Sequence, residues 1–327
     1  MQFFRRGPSQ DEQYLSLLQD IDFQPIFIMG THRSGTTLLY KLLVATECFN
    51  FLTSYHIIKY DEILFNHVNR TEDHAKRELS ELFKSMGLKD RIIDNVAVSP
   101  DMLEEYGYIL VNAGYSQRLN PRNLHVFLEL CKKVQFVSAR ARPLLLKNPY
   151  DYPNFKYVKA ALPEAKFIFI HRHPLHVINS QLRSIRTALD TKSKYGALID
   201  RRFARLCHNP LILQGARLLV SSKIGLALWS VTRGFVHSSN YFLQNVGSLP
   251  KTDFISLRFE DICKDPKTNV DKILRFIGLE QRSTLDYKAF IEPRTVPLLE
   301  EVKQERRSIS NKLAIYFAYW KYDPYLG

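Results

Sequence analysis

A glycine-bounded loop is the first part of this sequence whose residue types and spacing could do chemistry. It spans Gly30–Thr37, reads G-T-H-R-S-G-T-T, and lies between a short apolar run and an apolar pattern at helical spacing. A strand, a glycine-rich loop and a helix in this order direct backbone N–H groups at one point, where the helix dipole also favours negative charge. The pattern therefore predicts an anion-binding loop.

The loop differs at one position from the nucleotide-triphosphate loop G-x-x-x-x-G-K-[ST], because Thr36 stands where that loop has lysine. The cation lies inside the loop instead, at Arg33. Arg33 together with the hydroxyl groups of Thr36 and Thr37 suits a smaller terminal anion than a triphosphate. Taken alone, the loop is also compatible with a plain turn before a buried helix.

Arg172 and Ser180 form a second possible anion site. Arg172 ends the apolar run Lys166–Arg172, and the next helix, opened by Pro174, carries Ser180 in its second turn. A guanidinium at a strand end and a hydroxyl on the following helix can both contact one phosphate group. By themselves these residues also fit a surface arginine and a serine on an exposed helix face.

The elements that must position these residues are apolar runs of strand length separated by helical patterns. The runs are Pro25–Met29, Pro143–Pro149, Lys166–Arg172 and Asp253–Glu260, and Cys48 to Ser54 is expected to be extended. Crossovers of this length favour a parallel sheet, in which ligands bind at the carboxyl ends of the strands. Gly30, Lys147 and Arg172 stand at those ends, so we expect them to face one crevice.

Helices are predicted in most of the remaining chain. The predicted segments are Ser9–Leu18, Thr71–Met86, Pro100–Leu119, Pro121–Ala139, Pro153–Leu162, a helix from Pro174, Ser184 to Asn245, and Asp265–Gly278. The tail from Tyr287 to Gly327 is mixed, and its pattern predicts no particular element. The segment Ser184–Asn245 is basic and amphipathic, which predicts a helical insertion on the acceptor side. Its surface either contacts an anionic membrane or is an ordinary solvated helical face.

Composition indicates a globular protein with an anionic partner. The chain has 327 residues, 45% hydrophobic and 24% charged, which suits one domain over residues 1–327 with a sizeable core. A net charge of +13 favours an anionic ligand, but no five Lys or Arg are consecutive, which argues against a nucleic-acid-binding tail. Four scattered cysteines without C-x-x-C argue against a metal site.

The expected location is cytoplasmic. Residues 1–10 lack the apolar stretch of a secretory signal. No uninterrupted apolar run approaches the ~18 residues that a membrane-spanning helix needs.

The loop and the arginine motif resemble those of one enzyme family. Gly30–Leu39 resembles the 5′-phosphosulfate-binding loop of sulfotransferases that use 3′-phosphoadenosine 5′-phosphosulfate (PAPS), especially the tyrosylprotein-sulfotransferase-like branch and its bacterial members. The pattern R-x-P-x-x-x-x-x-S from Arg172 to Ser180 resembles the 3′-phosphate-binding motif of the family. Three shorter elements are also similar: Leu146–Pro149 with Asn148 in place of the usual aspartate, Leu162–Lys166, and Leu257–Ile262.

The resemblance, which spans Pro25 to Leu279, implies a P-loop α/β fold and metal-independent transfer of a sulfuryl group from PAPS. The implied acceptor is a hydroxyl group on a small molecule, a lipid or a carbohydrate. Donor binding is implied for Arg33, Ser34, Gly35, Thr36, Thr37, Arg172 and Ser180. Catalytic roles are implied for Arg33 and for Lys147, which would neutralise the leaving oxygen.

The general base is the role that the resemblance leaves most open. In the tyrosylprotein relatives a glutamate follows the loop arginine. An alignment without gaps places Ser54 at its position, and serine cannot act as a base here. His56 lies two residues further on and has an ordinary pKa close to neutral, so it is the first candidate, with a structural histidine as the alternative. The further candidates are Asp61, Glu62, Glu104 and Glu105.

Two other functions fit parts of the sequence. A nucleotide or sugar kinase with an atypical P-loop would explain the loop, but Thr36 replaces its lysine. A non-enzymatic basic protein that binds lipid or nucleic acid would explain the charge, but Lys147 and Arg172 stand where chemistry needs them.

Overall fold

The computed structural model describes residues 9–91, 96–281, 284–291 and 296–325. Within these residues five strands form one sheet: β1 Pro25–Met29, β2 Asn50–Phe51, β3 Leu144–Lys147, β4 Lys166–His171 and β5 Phe254–Arg258. All neighbouring strands pair in parallel, in the order β2-β3-β1-β4-β5. The predicted α/β fold around a parallel sheet is confirmed.

Helices flank the sheet. They are α1 Thr36–Ala45, α2 Ser54–Ile58, α3 Ile63–Val68, α4 Glu72–Ser85, α5 Gly107–Asn112, α6 Leu124–Val137, α7 Phe155–Ala161, α8 Pro174–Asp190, α9 Lys194–Ile199, α10 Arg201–His208, α11 Pro210–Val220, α12 Leu226–Asn245, α13 Phe259–Lys264, α14 Pro266–Ile277, α15 Glu300–Gln304, α16 Arg306–Lys312 and α17 Ala314–Trp320. Short 3-10 helices span Glu12–Leu18, Tyr60–Glu62, Pro149–Asn154, Val246–Ser248 and Tyr287–Phe290.

The sheet is buried on both faces because its central strands alternate between two kinds of apolar residue. On one face Phe27 and Phe167 stack with ring centroids 5.8 Å apart, within an aromatic core that α6 completes. On the other face Ile28 and Ile168 pack with residues of α1 and α14. Burial on both faces is typical of parallel sheets, and it holds the strands in one register.

That register aligns the strand ends that carry the predicted site. Ile28 of β1 lies opposite Lys147 at the end of β3, and β4 pairs with the other side of β1. The chain leaves these strands at Gly30, Asn148 and Arg172, on the same edge of the sheet. The polar loops that could bind a ligand therefore begin side by side.

The prediction of one helix over Pro100–Leu119 is wrong. Only α5 is helical there, because the preceding residues pair with a distant segment instead. Leu103 forms an antiparallel bridge with Thr53, and the backbone N–H of Glu104 donates to the carbonyl of Leu52 over 3.0 Å. These long-range hydrogen bonds satisfy the backbone groups that a helix would otherwise pair.

The other predicted strands and helices are found near their predicted positions, although Ser9–Leu18 is a 3-10 helix over Glu12–Leu18. The segment Ser184–Asn245 is helical as predicted, and contains the end of α8 together with α9 to α12. The unassigned tail contains α15 to α17. In the described part of the chain, no helix is both long and apolar enough to cross the bilayer. Residues 1–8, on which most of the signal-sequence prediction depends, lie outside the described residues.

Candidate active site

One glycine gives the loop after β1 its shape. Gly35 has a φ of +98°, a conformation that glycine adopts without a steric penalty, and it directly precedes α1. A Cβ atom at this position would lie only 2.1 Å from Cδ2 of Phe259. Any side chain here would therefore have to displace the Phe259 ring. Because α1 begins at Thr36, the N–H groups of its first turn lie at the end of the loop. Free N–H groups at a helix N-terminus are the arrangement that binds anions.

Arg33 is the residue at which the two predicted motifs meet. It has a φ of +69°, which is uncommon for a residue with a side chain. Its Nε donates to Oγ of Ser180 over 2.9 Å, and its carbonyl accepts from Nη1 of Arg172 over 3.2 Å. Beside it, Nε2 of Gln181 donates to the carbonyl of His32 over 2.7 Å. The end of β4 and the first turns of α8 thus hold the loop.

Arg172 lies against the start of α13, which in turn contacts the tail. Its guanidinium lies 4.3 Å from the ring centroid of Phe259, a cation–π geometry. The residues that follow Phe259 and Arg172 also contact each other, because Oε1 of Glu260 accepts from the backbone N–H of His173 over 3.0 Å. Tyr322 donates to Oε2 of Glu260 over 2.9 Å. No local pattern signals contacts between segments so distant, so sequence reasoning missed Phe259 and Tyr322.

Lys147 lies at the centre of a buried ionic contact beside the loop. Its side chain is 2% exposed, and its Nζ lies 3.0 Å from Oε1 of Glu105. The same Nζ donates to Oγ1 of Thr37 in the first turn of α1, over 3.2 Å. A buried ammonium group needs such partners to offset its lost hydration. The structure thus brings together Lys147, Thr37 and the remotest of the candidate bases.

Glu105 reaches Lys147 because its segment is anchored to the turn after β3. Tyr106 donates to Oδ2 of Asp151 over 2.7 Å, and Nδ2 of Asn148 donates to the same oxygen over 2.9 Å. Gly107 comes so close that a Cβ there would lie 2.9 Å from Oδ1 of Asn148. An ionised aspartate at position 148 could not donate to Asp151, which explains why asparagine suits this chain.

The pKa values of two adjacent glutamates near Lys147 shift in opposite directions. Burial acts to raise the pKa of Glu105, but Lys147, His32 and Arg91 together outweigh it, so this pKa lies below its ordinary value. Burial raises the pKa of Glu104 even though Arg91 lies 3.3 Å away. Burial also lowers the pKa of His32, which favours its neutral form. The carboxylate of Glu105 is therefore ionised at neutral pH.

His56 has a structural position. Its Nδ1 accepts from the backbone N–H of Thr53 over 3.1 Å, and its own N–H donates to the Thr53 hydroxyl, so the pair forms a capping box at the start of α2. Burial lowers the pKa of His56 to about 3. These contacts favour the structural alternative for His56 over the predicted role as base.

The remaining candidate bases lie in other surroundings. Asp61 and Glu62 belong to the 3-10 helix Tyr60–Glu62, where Glu62 pairs with Lys59 over 3.1 Å. Glu104 pairs with Arg91 and accepts from the Tyr195 hydroxyl over 2.6 Å. Among the described residues, no three His, Cys, Asp or Glu side chains are grouped so that they could hold a metal ion.

Curated relatives with this chain's sequence pattern are bacterial. The omega-hydroxy-beta-dihydromenaquinone-9 sulfotransferases Stf3 of Mycobacterium bovis and of Mycobacterium tuberculosis are each 30% identical to it over 178 residues. The match covers 48% of this chain and 44% of each relative. The chain thus spans less than half the length of these relatives.

Two solved structures share the fold. Sulfotransferase STF9 from Mycobacterium avium has a TM-score of 0.64 at 12% identity, covering 95% of this chain and 79% of its own. Sulfotransferase STF1 from Mycobacterium tuberculosis has a TM-score of 0.51 at 15% identity, covering 94% and 80%. At such low identity they bear on the fold alone, and they confirm the P-loop-like α/β prediction.

The family assignment comes from a sequence profile. The profile described as "Sulfotransferase family" matches residues 25–283, which include the loop after β1, Lys147, Arg172 and Ser180. The match extends over most of the chain, as the resemblance of the two motifs predicted. This chain belongs to the sulfotransferase family.

Proposed function

We propose that this protein transfers the sulfuryl group of PAPS to a hydroxyl group by in-line displacement. The observation that carries the proposal is the buried Lys147, which lies between Thr37 at the start of α1 and the carboxylate of Glu105. An ammonium beside an anion-binding loop can stabilise charge on a leaving oxygen, and the adjacent carboxylate can take a proton from the acceptor.

The residues around Arg33 fit both ends of the donor. Arg33, the loop amides and the hydroxyl groups of Thr36 and Thr37 suit its 5′-phosphosulfate. Arg172 and Ser180, which both contact Arg33, suit its 3′-phosphate. When bound, the donor supplies the activated sulfuryl group, and 3′,5′-bisphosphoadenosine is the leaving group. The proposed reaction uses no metal ion.

Glu105 replaces His56 as the proposed general base. It is ionised at neutral pH because Lys147, with His32 and Arg91, outweighs the effect of burial on its pKa. The Nδ1 of His56 is engaged by the backbone of Thr53. A carboxylate that contacts the leaving-group lysine also lies beside the atoms that react, which general base catalysis requires.

The proposed acceptor is a lipid hydroxyl, one of the three classes that the sequence implied. The name of the curated relatives gives a hydroxylated menaquinone as their acceptor. Membership of the sulfotransferase family does not favour the kinase or the non-enzymatic alternative.

Ligand-induced thermal stabilisation tests the proposal. We expect 3′,5′-bisphosphoadenosine to raise Tm, since a ligand at one hundred times its Kd stabilises the folded protein by about 2.7 kcal/mol. ATP with magnesium should leave Tm unchanged. The measurement is repeated with a chelator, which should change nothing. A shift with ATP and magnesium alone would support a kinase.

Transfer of a radiolabelled sulfuryl group from PAPS to farnesol, a long-chain isoprenoid alcohol, then tests the acceptor class.

Removing the charge of Lys147 should affect turnover more than donor binding. Lys147→Met keeps the apolar stem of the side chain and removes the ammonium group. We expect kcat to fall about a hundredfold, because the charge on the leaving oxygen develops in the transition state. Calorimetric affinity for bisphosphoadenosine should change far less.

The matched control for this variant is Lys76→Met. Lys76 also forms two ion pairs, with Glu72 over 2.9 Å and Asp101 over 2.8 Å, but it lies on α4. Its replacement should leave kcat unchanged. A Lys147→Met protein with raised donor KM and normal kcat would limit Lys147 to donor binding.

A further inference from the structure

Exposed apolar side chains are concentrated on one part of the surface. Of sixteen large hydrophobic side chains exposed among the described residues, seven lie between positions 211 and 229. They are Leu211, Ile212, Leu218, Leu219, Ile224, Leu226 and Trp229, which we call the α11 patch. Leu211 is 81% exposed and Leu218 is 61% exposed. Concentrations of this kind mark surfaces that meet another apolar phase.

The helix α11 presents its apolar residues to the outside because of how it is anchored. The side chain of Asn209 accepts from the backbone N–H groups of Leu211 and Ile212, and Pro210 opens the first turn, so the start of α11 is set locally. Within α11 only Leu213 is buried. Its eleven residues correspond to a strip about 16 Å long.

Basic side chains neighbour this strip, on α11 itself and on the segments that pack beside it. From Arg201 to Asn240 the sequence has six Arg or Lys and no Asp or Glu. The six are Arg201, Arg202, Arg205, Arg217, Lys223 and Arg233. Arg202 and Arg205 are exposed on α10, which buries none of its residues. An apolar strip with basic residues beside it is the pattern of helices that lie in the interface of an anionic bilayer.

An anionic membrane fits this surface better than the other possible partners. Nucleic acid would match the charge but would leave exposed leucines against phosphate groups. A second copy of this chain would cover the leucines but would bring two sets of positive charges together, which costs energy. A bilayer with acidic headgroups accommodates both.

We propose that α10, α11 and the start of α12 dock on an anionic lipid bilayer. The leucine and isoleucine side chains of the α11 patch enter the interface, and Arg202 and Arg205 contact headgroup phosphates. In the sequence, this surface contains none of the residues proposed for sulfuryl transfer. The docking therefore goes beyond the proposed function and does not depend on it.

Co-sedimentation of the full chain with sucrose-loaded vesicles tests the docking. At physiological salt we expect the protein to pellet with vesicles of equal parts phosphatidylcholine and phosphatidylglycerol, and to stay largely in solution with phosphatidylcholine alone. The double variant Arg202→Gln/Arg205→Gln should lower the partition onto anionic vesicles about 20- to 30-fold, since each basic residue near such a surface contributes about fivefold. The double variant Leu211→Ser/Leu218→Ser should lower it at least about tenfold.

Val68→Ser is the matched control. Val68 is an exposed apolar residue, 44% accessible, on α3, a helix that packs on α4 and α6. Its replacement should not change vesicle binding, and because the replaced side chains are exposed we expect unchanged Tm in all variants.

Several outcomes would overturn the docking proposal. One is wild-type protein that stays in the supernatant with both vesicle types. Another is a leucine variant that pellets as well as the wild type. A third is a dimer in sedimentation velocity that the leucine variant dissociates, without vesicle binding, since a second copy would then cover the patch. Calorimetric affinity for bisphosphoadenosine should be equal in all variants, and its absence in the wild type would count against the proposed function alone.

Discussion

Replacing Glu105 by glutamine should lower kcat for sulfuryl transfer by about 10²–10⁴, the usual contribution of a positioned general base. Glutamine keeps the shape of the side chain and an oxygen that can accept from Lys147, but it cannot take a proton. Affinity for bisphosphoadenosine should not fall, because the variant removes a negative charge near an anion site. The rate is measured as radiolabelled sulfuryl transfer from PAPS to farnesol, and the affinity by calorimetry.

His56→Ala is the control for this experiment, because His56 was the first candidate from the sequence. It removes the side chain that accepts from the backbone N–H of Thr53, so we expect a loss of about 1 kcal/mol in unfolding free energy with kcat nearly unchanged. The opposite pattern, in which His56→Ala is inactive although folded and Glu105→Gln is active, would return the role of base to His56.

The wild-type pH profile gives an independent check. Burial acts to raise the pKa of Glu105, but Lys147, His32 and Arg91 together lower it by more, so the carboxylate is already ionised at pH values below neutral. kcat/KM should therefore stay level as the pH falls from about 8 to 6, whereas a base with the ordinary histidine pKa near 6.5 would become protonated in this range. Because burial lowers the pKa of His56 to about 3, the two variants, and not this profile, distinguish Glu105 from His56.

Replacing Arg172 by alanine should weaken bisphosphoadenosine binding by about 10²–10⁴, while adenosine 5′-monophosphate binding hardly changes. The two ligands differ only in the 3′-phosphate. Two charge-assisted hydrogen bonds from one guanidinium are worth about 1.5–3 kcal/mol each, which gives this range. Calorimetry with both ligands in wild type and variant measures the preference directly.

The structure adds an alternative that this experiment must separate. Nη1 of Arg172 also donates to the carbonyl of Arg33, so its loss could disturb the 5′ end of the site. In that case both ligands would weaken equally, and the assignment of Arg172 to the 3′-phosphate would fall. Arg183→Ala is the control for loss of a positive charge, because Arg183 lies on α8 and donates to the carbonyl of Pro297. It should leave both affinities unchanged.

Local sequence determined most of the fold. Alternating Phe and Ile in β1 and β4 can bury both faces only in the middle of a sheet, and helical segments between the strands require parallel pairing. Loops that leave parallel strands begin at the same edge. The sequence therefore sufficed to predict that Gly30, Lys147 and Arg172 lie together at the carboxyl ends of the strands.

The choice among candidate bases depended on tertiary structure. Glu105 lies 42 positions before Lys147, in a segment whose pattern predicted a helix. It meets the lysine because Tyr106 and Asn148 both bind Asp151, contacts that have no periodic signature. His56 had the better pKa for a base by residue type alone. Burial and the bond from Thr53 favour a structural position for His56 instead, because only the folded chain sets which polar atoms are already engaged.

The basic helical segment shows the same division. Its charge and amphipathic pattern were evident in the sequence, but that pattern cannot tell an apolar stripe that faces the core from one that faces outward. Packing decided it, because α11 contacts α8, α10 and α12 yet buries only Leu213, which leaves Leu211 and Leu218 exposed. A hydrophobic period specifies a helix and its apolar face, and only the arrangement of neighbouring helices determines what that face meets.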